Sequence, residues 1–210
     1  MEQKNFWDKR FSTEIIDNEV SFLKKYSNIL LSLGEKPLAL DLGCGDGNNS
    51  EFLYQLGFEV IASDFSNKAL EKVSKRCSHI NTIRFDMTET FPFESNSFDL
   101  VVASLSIQYF YKKETDKILL SIFNTLKEGG IFIIRVNNDK ELQINKKKDI
   151  VKCLEDEFYL SKNGKTKRYY TKESLRRFLF HFEILEMKDV EFEFLGNKKY
   201  ALESVVRKRG

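Results

Sequence analysis

The run Leu40-Asp-Leu-Gly43-Cys-Gly45-Asp-Gly47-Asn-Asn-Ser50 sets three glycines at alternate positions after a short apolar stretch. Without a Cβ the backbone can turn sharply and lie close against a ligand. In open α/β sheets, ligands bind at the carboxyl ends of strands, so a loop of this kind there suits a nucleotide-like molecule. A phosphate-cradling P-loop ends in Gly-Lys-Ser/Thr, whereas this one ends Gly47-Asn-Asn-Ser50. The dinucleotide fingerprint Gly-x-Gly-x-x-Gly needs its third glycine at position 48, which is Asn48. The Gly-x-Gly-x-Gly spacing therefore disfavours pyrophosphate. Metal chemistry has no support, because no His/Asp/Glu cluster shows ligand spacing and the two histidines, His79 and His181, are far apart in the chain.

The elements around this loop follow from hydrophobic periodicity. Apolar residues from Ile15 and Ile16 to Leu33 have helical spacing over 13–33, stopped by Gly34. Strands are predicted at Pro37–Asp41, Phe58–Ala62, Ile80–Phe85, Phe98–Ala103 and Ile131–Ile134. Helices are predicted between them at 48–56, after a Ser66 cap, and at 114–126, where Gly129-Gly130 breaks the pattern. Strands alternating with helices imply a parallel, doubly wound sheet with helices on both faces. After a helix near 171–180, His181–Phe194 and Tyr200–Arg207 read as an antiparallel pair turned by Gly196-Asn197. The expected fold is an α/β Rossmann-like sheet of seven strands, mostly parallel, with an antiparallel C-terminal edge pair.

At this point the sequence resembles the class I S-adenosylmethionine-dependent methyltransferase family. Asp41-Leu-Gly-Cys-Gly-Asp-Gly47 is similar to that family's first motif. Val60–Asp64, Ile83–Met87, Phe98–Ser104 and Leu126–Ile134 then resemble its second to fifth strands in order. The resemblance covers about 36–136 closely. Tyr169-Tyr-Thr-Lys-Glu and the closing strand are similar to a small-molecule subgroup near the tellurite-resistance-type enzymes. It implies S-adenosylmethionine as cofactor, S-adenosylhomocysteine as product and in-line methyl transfer to a small-molecule acceptor. One domain, 1–210, is expected, with an N-terminal lid or helix at 1–35, a cofactor core at 36–136, and a basic acceptor-side insertion with the terminal strands at 137–210.

The resemblance also implies roles for individual residues. Asp64 ends the second strand, where a carboxylate accepts hydrogen bonds from ribose hydroxyls, and Phe65 beside it offers a face for adenine. Asp86 suits the adenine amino group and the Met87 N–H a ring nitrogen; the alternative for Asp86 is a turn cap. Asp41, among apolar neighbours, needs donors from the loop amides or the cofactor's ammonium. Gly43, Cys44, Gly45 and Gly47 supply backbone, and Ser104 faces the methionine moiety. Many relatives carry His beyond the fourth strand; Gln108 and Tyr109 stand here instead. That removes the obvious general base and leaves Tyr109 an orienting role. In Phe6-Trp7-Asp8-Lys9-Arg10-Phe11, Trp7 or Phe6 can pack over the cleft and Arg10 can pair with the methionine carboxylate.

Composition narrows the alternatives. The 210 residues carry a net charge of +2, so no global field demands nucleic acid or an anionic membrane. Residues 137–177 concentrate 12 Lys/Arg against 7 Asp/Glu, densest at 146–148 and 162–168. A solvated loop is the bland reading; an anionic small substrate or an RNA phosphate track are the sharper ones. A binding-only protein is a third reading. Three widely spaced cysteines exclude a disulfide framework. With no apolar leader and no spanning run, the chain is expected to be cytoplasmic.

Overall fold

The computed structural model describes residues 2–13, 20–146, 149–194 and 196–210. An N-terminal helix, α1 (Glu2–Phe11), precedes a 3₁₀ turn at Phe22–Tyr26 and a short α2 (Ser27–Leu31). The alternating core then runs β1 (Leu38–Leu42), α3 (Asn48–Gln55), β2 (Glu59–Asp64), α4 (Asn67–Arg76) and β3 (Asn81–Arg84). It continues through β4 (Phe98–Ser104), a 3₁₀ turn at Ile107–Tyr109, α5 (Lys112–Thr125) and β5 (Leu126–Asn137). Next come α6 (Asp139–Lys146), β6 (Ile150–Glu155), β7 (Phe158–Ser161) and β8 (Thr166–Arg168). The chain closes with α7 (Lys172–Phe178), β9 (Phe182–Phe194) and β10 (Asn197–Lys208).

Seven strands form one sheet in the order β3-β2-β1-β4-β5-β10-β9. The first five are parallel, and β10 runs antiparallel to both β5 and β9. Alternate strand residues point to opposite faces. Leu40, Leu42, Val101, Ala103, Phe132 and Ile134 accordingly pack under α5 and α7, whereas Ala39, Val60, Ala62, Leu100, Val102 and Ile133 pack under α3, α4 and the 22–30 segment. Burial on both faces explains why these strands read as continuous apolar runs. The sheet order reverses between β1 and β4, which places a ligand crevice at the carboxyl end of β1. Across β5 and β10, fully buried Glu203 accepts from Arg135, Tyr26 and Lys25, so that charge is paired.

The expected fold is observed, with local differences. Ile15 and Ile16 of the helix expected over 13–33 lie outside the described residues, and in place of one continuous helix the described part, from residue 20 on, holds a 3₁₀ turn followed by α2. Ser21 caps that turn through the Leu23 N–H, and the Ser27 hydroxyl bonds the Lys24 carbonyl at the junction, so hydroxyl–backbone bonds divide the segment. The helix at 2–11 carries no strong apolar stripe and escapes periodicity. The strand predicted at Ile131 begins at Leu126, because Lys127–Gly130 bulge out between the Phe98–Leu126 and Leu100–Ile131 pairings. The basic 137–177 segment is not a plain solvated loop: β6, β7 and β8 form a small antiparallel sheet. Of the densest basic runs, Lys147 and Lys148 lie outside the described residues.

Candidate functional site

β1 delivers the glycine loop to the crevice, and β2 holds it there. The Gly43 and Cys44 N–H groups both donate to the Ser63 carbonyl, at 2.8 and 2.9 Å. Gly43 has φ 73°, and a Cβ on it would fall 2.5 Å from the Ser106 Cβ. Ser106 is anchored by its hydroxyl to the Leu42 carbonyl at 2.8 Å. Gly45 has φ 54°, and the nearest atoms to a Cβ there belong to the Phe11 ring, at 3.4 Å. A ring of α1 thus lies over the loop. Gly47 stands at the N-cap of α3 beside Val73. Cys44 is buried, its thiol pushed up by that burial, so it contributes backbone rather than thiolate.

Two buried carboxylates flank the loop. Asp41 accepts from the Ser50 hydroxyl at 2.5 Å, so the first turn of α3 supplies its donor. Asp64 accepts from the Gly45 N–H at 3.1 Å and the Ser66 N–H at 3.0 Å, tying the glycine loop to the start of α4. A carboxylate has about four lone-pair sites, so these bonds leave Asp64 capacity for ribose hydroxyls. The residues therefore fit a nucleoside. Burial pushes both carboxyls up to about 6, against the pull of these hydrogen bonds; Asp64 adds a small upward push on Asp41, and Asp8 of α1 does the same to Asp64.

Because each carboxyl holds its proton more tightly folded than unfolded, stability falls as pH rises through roughly 4 to 6 and levels off above. Asp41→Asn should flatten that slope and be at least as stable as the parent at pH 7, by something on the order of 1 kcal/mol. Thermal unfolding between pH 4 and 7 measures it, and an unchanged slope rejects the assignment.

The other sequence-selected residues fall around this centre. Phe65 is half-buried next to Asp64, its carbonyl accepting from Arg84. Asp86 accepts from the N–H and hydroxyl of Thr88, the turn cap that was its alternative reading. Met87 brings its Cε within 3.1 Å of the Gly43 Cβ position. Ser104 ends β4 half-buried, paired with Arg135. Leu105 then takes a left-handed φ of 54°, unusual for its type, and the turn sets Ser106 against the loop. Sequence reasoning singled out Ser104, Gln108 and Tyr109 in this run and gave Ser106 no role of its own; its proximity to Gly43 marks it.

Beyond β4, Gln108 is committed to structure. Its amide donates to the Asn137 side chain and its oxygen accepts the Asn137 N–H, at 2.9 and 2.7 Å. The Tyr109 ring lies 5.2 Å from Trp7, and burial pushes its phenol up to about 12, so it is no base near neutral pH. Trp7 stacks on Phe11 at 6.0 Å. Arg10 lies over the Phe11 ring and repels Lys165. α1 therefore joins the glycine loop to the turn after β4 and to Lys165. A groove of about 730 Å³ is lined instead by residues of α5, α7, β6 and β8 such as Lys112, Glu155, Arg168 and Phe178. No residue of the glycine loop lines it. Among the described residues no group of His, Cys, Asp and Glu is arranged to hold a metal.

Residues 40–134 match the model of a family described as a methyltransferase domain. The chain is 30% identical over 196 residues to the tRNA N(3)-methylcytidine methyltransferase Mettl2 of Drosophila melanogaster, covering 81% of this chain and 58% of that protein. It thus spans little more than half of that relative's length. Among solved structures, a methyltransferase of Methanosarcina mazei superposes with a TM-score of 0.75 at 22% identity, covering 84% of this chain and 94% of that one. The 1,6-didemethyltoxoflavin N1-methyltransferase of Burkholderia thailandensis, solved with S-adenosylhomocysteine, superposes at 0.69 and 19% identity, covering 91% and 80%.

Proposed function

Because the chain belongs to the class I S-adenosylmethionine-dependent methyltransferases, we propose that it transfers a methyl group from S-adenosylmethionine to a small-molecule acceptor by in-line displacement. The observation that carries this reading is the buried Asp64 carboxylate held 3.1 Å from the Gly45 N–H at the switch point of the sheet. When bound, the cofactor supplies a methyl activated by its sulfonium. The protein's part is placement. Asp64 binds the ribose, Phe65 lies on the adenine, and Asp86 with the Met87 N–H reads its edge. The 43–47 backbone and Ser104 border the methionine moiety, and Arg10 pairs with its carboxylate. Residues 1–35 serve as lid and first helices, 36–136 as cofactor core and 137–210 as acceptor side. Orientation alone can contribute about 7–11 kcal/mol to such a reaction, so the absence of a base beyond β4 is tolerable. A cytoplasmic setting belongs to the same reading, with the three cysteines free.

A thermal-shift panel tests the reading: S-adenosylmethionine and S-adenosylhomocysteine should raise the melting temperature while NAD and ATP do not. Selective stabilisation by NAD overturns it. Tyr109→Phe should lower turnover several-fold while cofactor affinity stays within about twofold, or 0.4 kcal/mol. Equal turnover at saturating cofactor returns Tyr109 to packing against Trp7. An RNA acceptor is the second reading, favoured by the 30% identity to a tRNA methyltransferase; salt-dependent retention of RNA would identify it.

A further inference from the structure

Lys165 and Lys167, two residues apart at the start of β8, face the aromatic side of the site. The Lys165 Nζ lies 3.3 Å from the Phe6 ring centroid and 5.5 Å from that of Trp7. The Lys167 Nζ lies 5.9 Å from Tyr109 and 5.5 Å from Tyr169. Both side chains are half-buried, and among the described residues neither forms an ion pair. The charged groups that act on them are mostly positive: Arg10, Lys199 and, on Lys167, its neighbour Lys165, with Glu141 the one carboxylate. Glu141 is already bound to Lys199 at 3.0 Å. Burial and this repulsion push both ammoniums down to about 8. Half-burying like charges without a counter-ion is costly, and an anion arriving between them relieves that cost.

Resting on the methyl-transfer reading, we infer that the acceptor is a small planar molecule bearing a carboxylate or phosphate, its anionic head held by Lys165 and Lys167 and its ring packed against Trp7, Tyr109 and Tyr169. Four flat rings within reach of two ammoniums suit a flat anion better than an aliphatic one. Tyr109 stands on the turn that follows β4, so a ring held there lies on the crevice side of the sheet.

The test uses the full chain with S-adenosylhomocysteine at saturation and three probes: phenyl phosphate, benzoate and neutral benzamide. Trp7 is the sole tryptophan, so its emission reports occupancy of this site alongside calorimetry. Both anions should shift that emission and bind at least about tenfold more tightly than benzamide. Lys165→Met and Lys167→Met keep most of the aliphatic stem and should each remove that preference. Stronger binding of one anion assigns the head to that class.

Equal binding of benzamide and the anions, or an unchanged preference in both variants, overturns the inference. So does binding of S-adenosylhomocysteine with no anion bound. Retention of a single-stranded RNA oligonucleotide through these lysines, with no small anion bound, overturns it in favour of RNA. Failure of S-adenosylhomocysteine to bind at all is separate: it removes the methyl-transfer reading and this inference with it.

Discussion

Gly45→Val is expected to abolish detectable binding of S-adenosylmethionine and S-adenosylhomocysteine in a chain that still folds. Gly45 has φ 54°, where an L-residue loses roughly 1–2 kcal/mol and a β-branched one is least tolerated. Its N–H donates to Asp64, so a shift here moves the proposed ribose acceptor as well. A Cβ at this position lies 3.4 Å from the Phe11 ring, so the added γ-methyls would crowd the face that this ring covers. Strain and occupied volume act in the same direction, and a loss beyond about hundredfold, near 2.7 kcal/mol, is expected by calorimetry. Circular dichroism confirms the fold. Unchanged affinity in the folded variant would falsify the loop assignment.

Asp64→Ala is expected to weaken cofactor binding by about tenfold to a hundredfold, or 1.5–3 kcal/mol, through loss of charge-assisted bonds. The structure adds a complication, because the same carboxylate ties Gly45 and Ser66 together. Part of any loss therefore comes from a loosened loop. The 2′,3′-dideoxy analogue of S-adenosylhomocysteine separates the two effects. If Asp64 receives the ribose hydroxyls, the parent prefers the natural ligand and the variant does not. A variant that still discriminates places the ribose elsewhere.

The glycine loop and Asp64 were legible because each is written in a short stretch of chain. Asp41 to Ser50 carries its glycines at a fixed spacing, and Asp64 ends an apolar run whose strand was evident. The buried donor for Asp41 was less legible: the loop amides and the cofactor were considered, whereas the Ser50 hydroxyl, nine residues on, fills the role once α3 forms. Asp86 shows the same limit in reverse, since its turn with Thr88 is local and equally compatible with a ligand-facing place. The basic stretch at 162–168 was visible as charge. Its sheet was not, because β8 is three residues long and polar, with no alternation strong enough to distinguish it from a loop.

The sequence by itself determined the parallel core, its two apolar faces and the glycine loop at the end of β1. Periods of 2 and 3.6 residues and the special backbone of glycine act over a few positions and leave their mark in order along the chain. Only the tertiary structure decided that Phe11 covers Gly45, that Ser106 abuts Gly43, and that Lys167 meets Tyr109. These contacts join segments about 34 to 63 residues apart, and no local pattern encodes such a meeting. They arise when apolar faces pack and the strand order brings the carboxyl ends of β1, β2 and β4 to one side. Side chains from α1, the turn after β4 and β8 then share a space that none of their sequences describes.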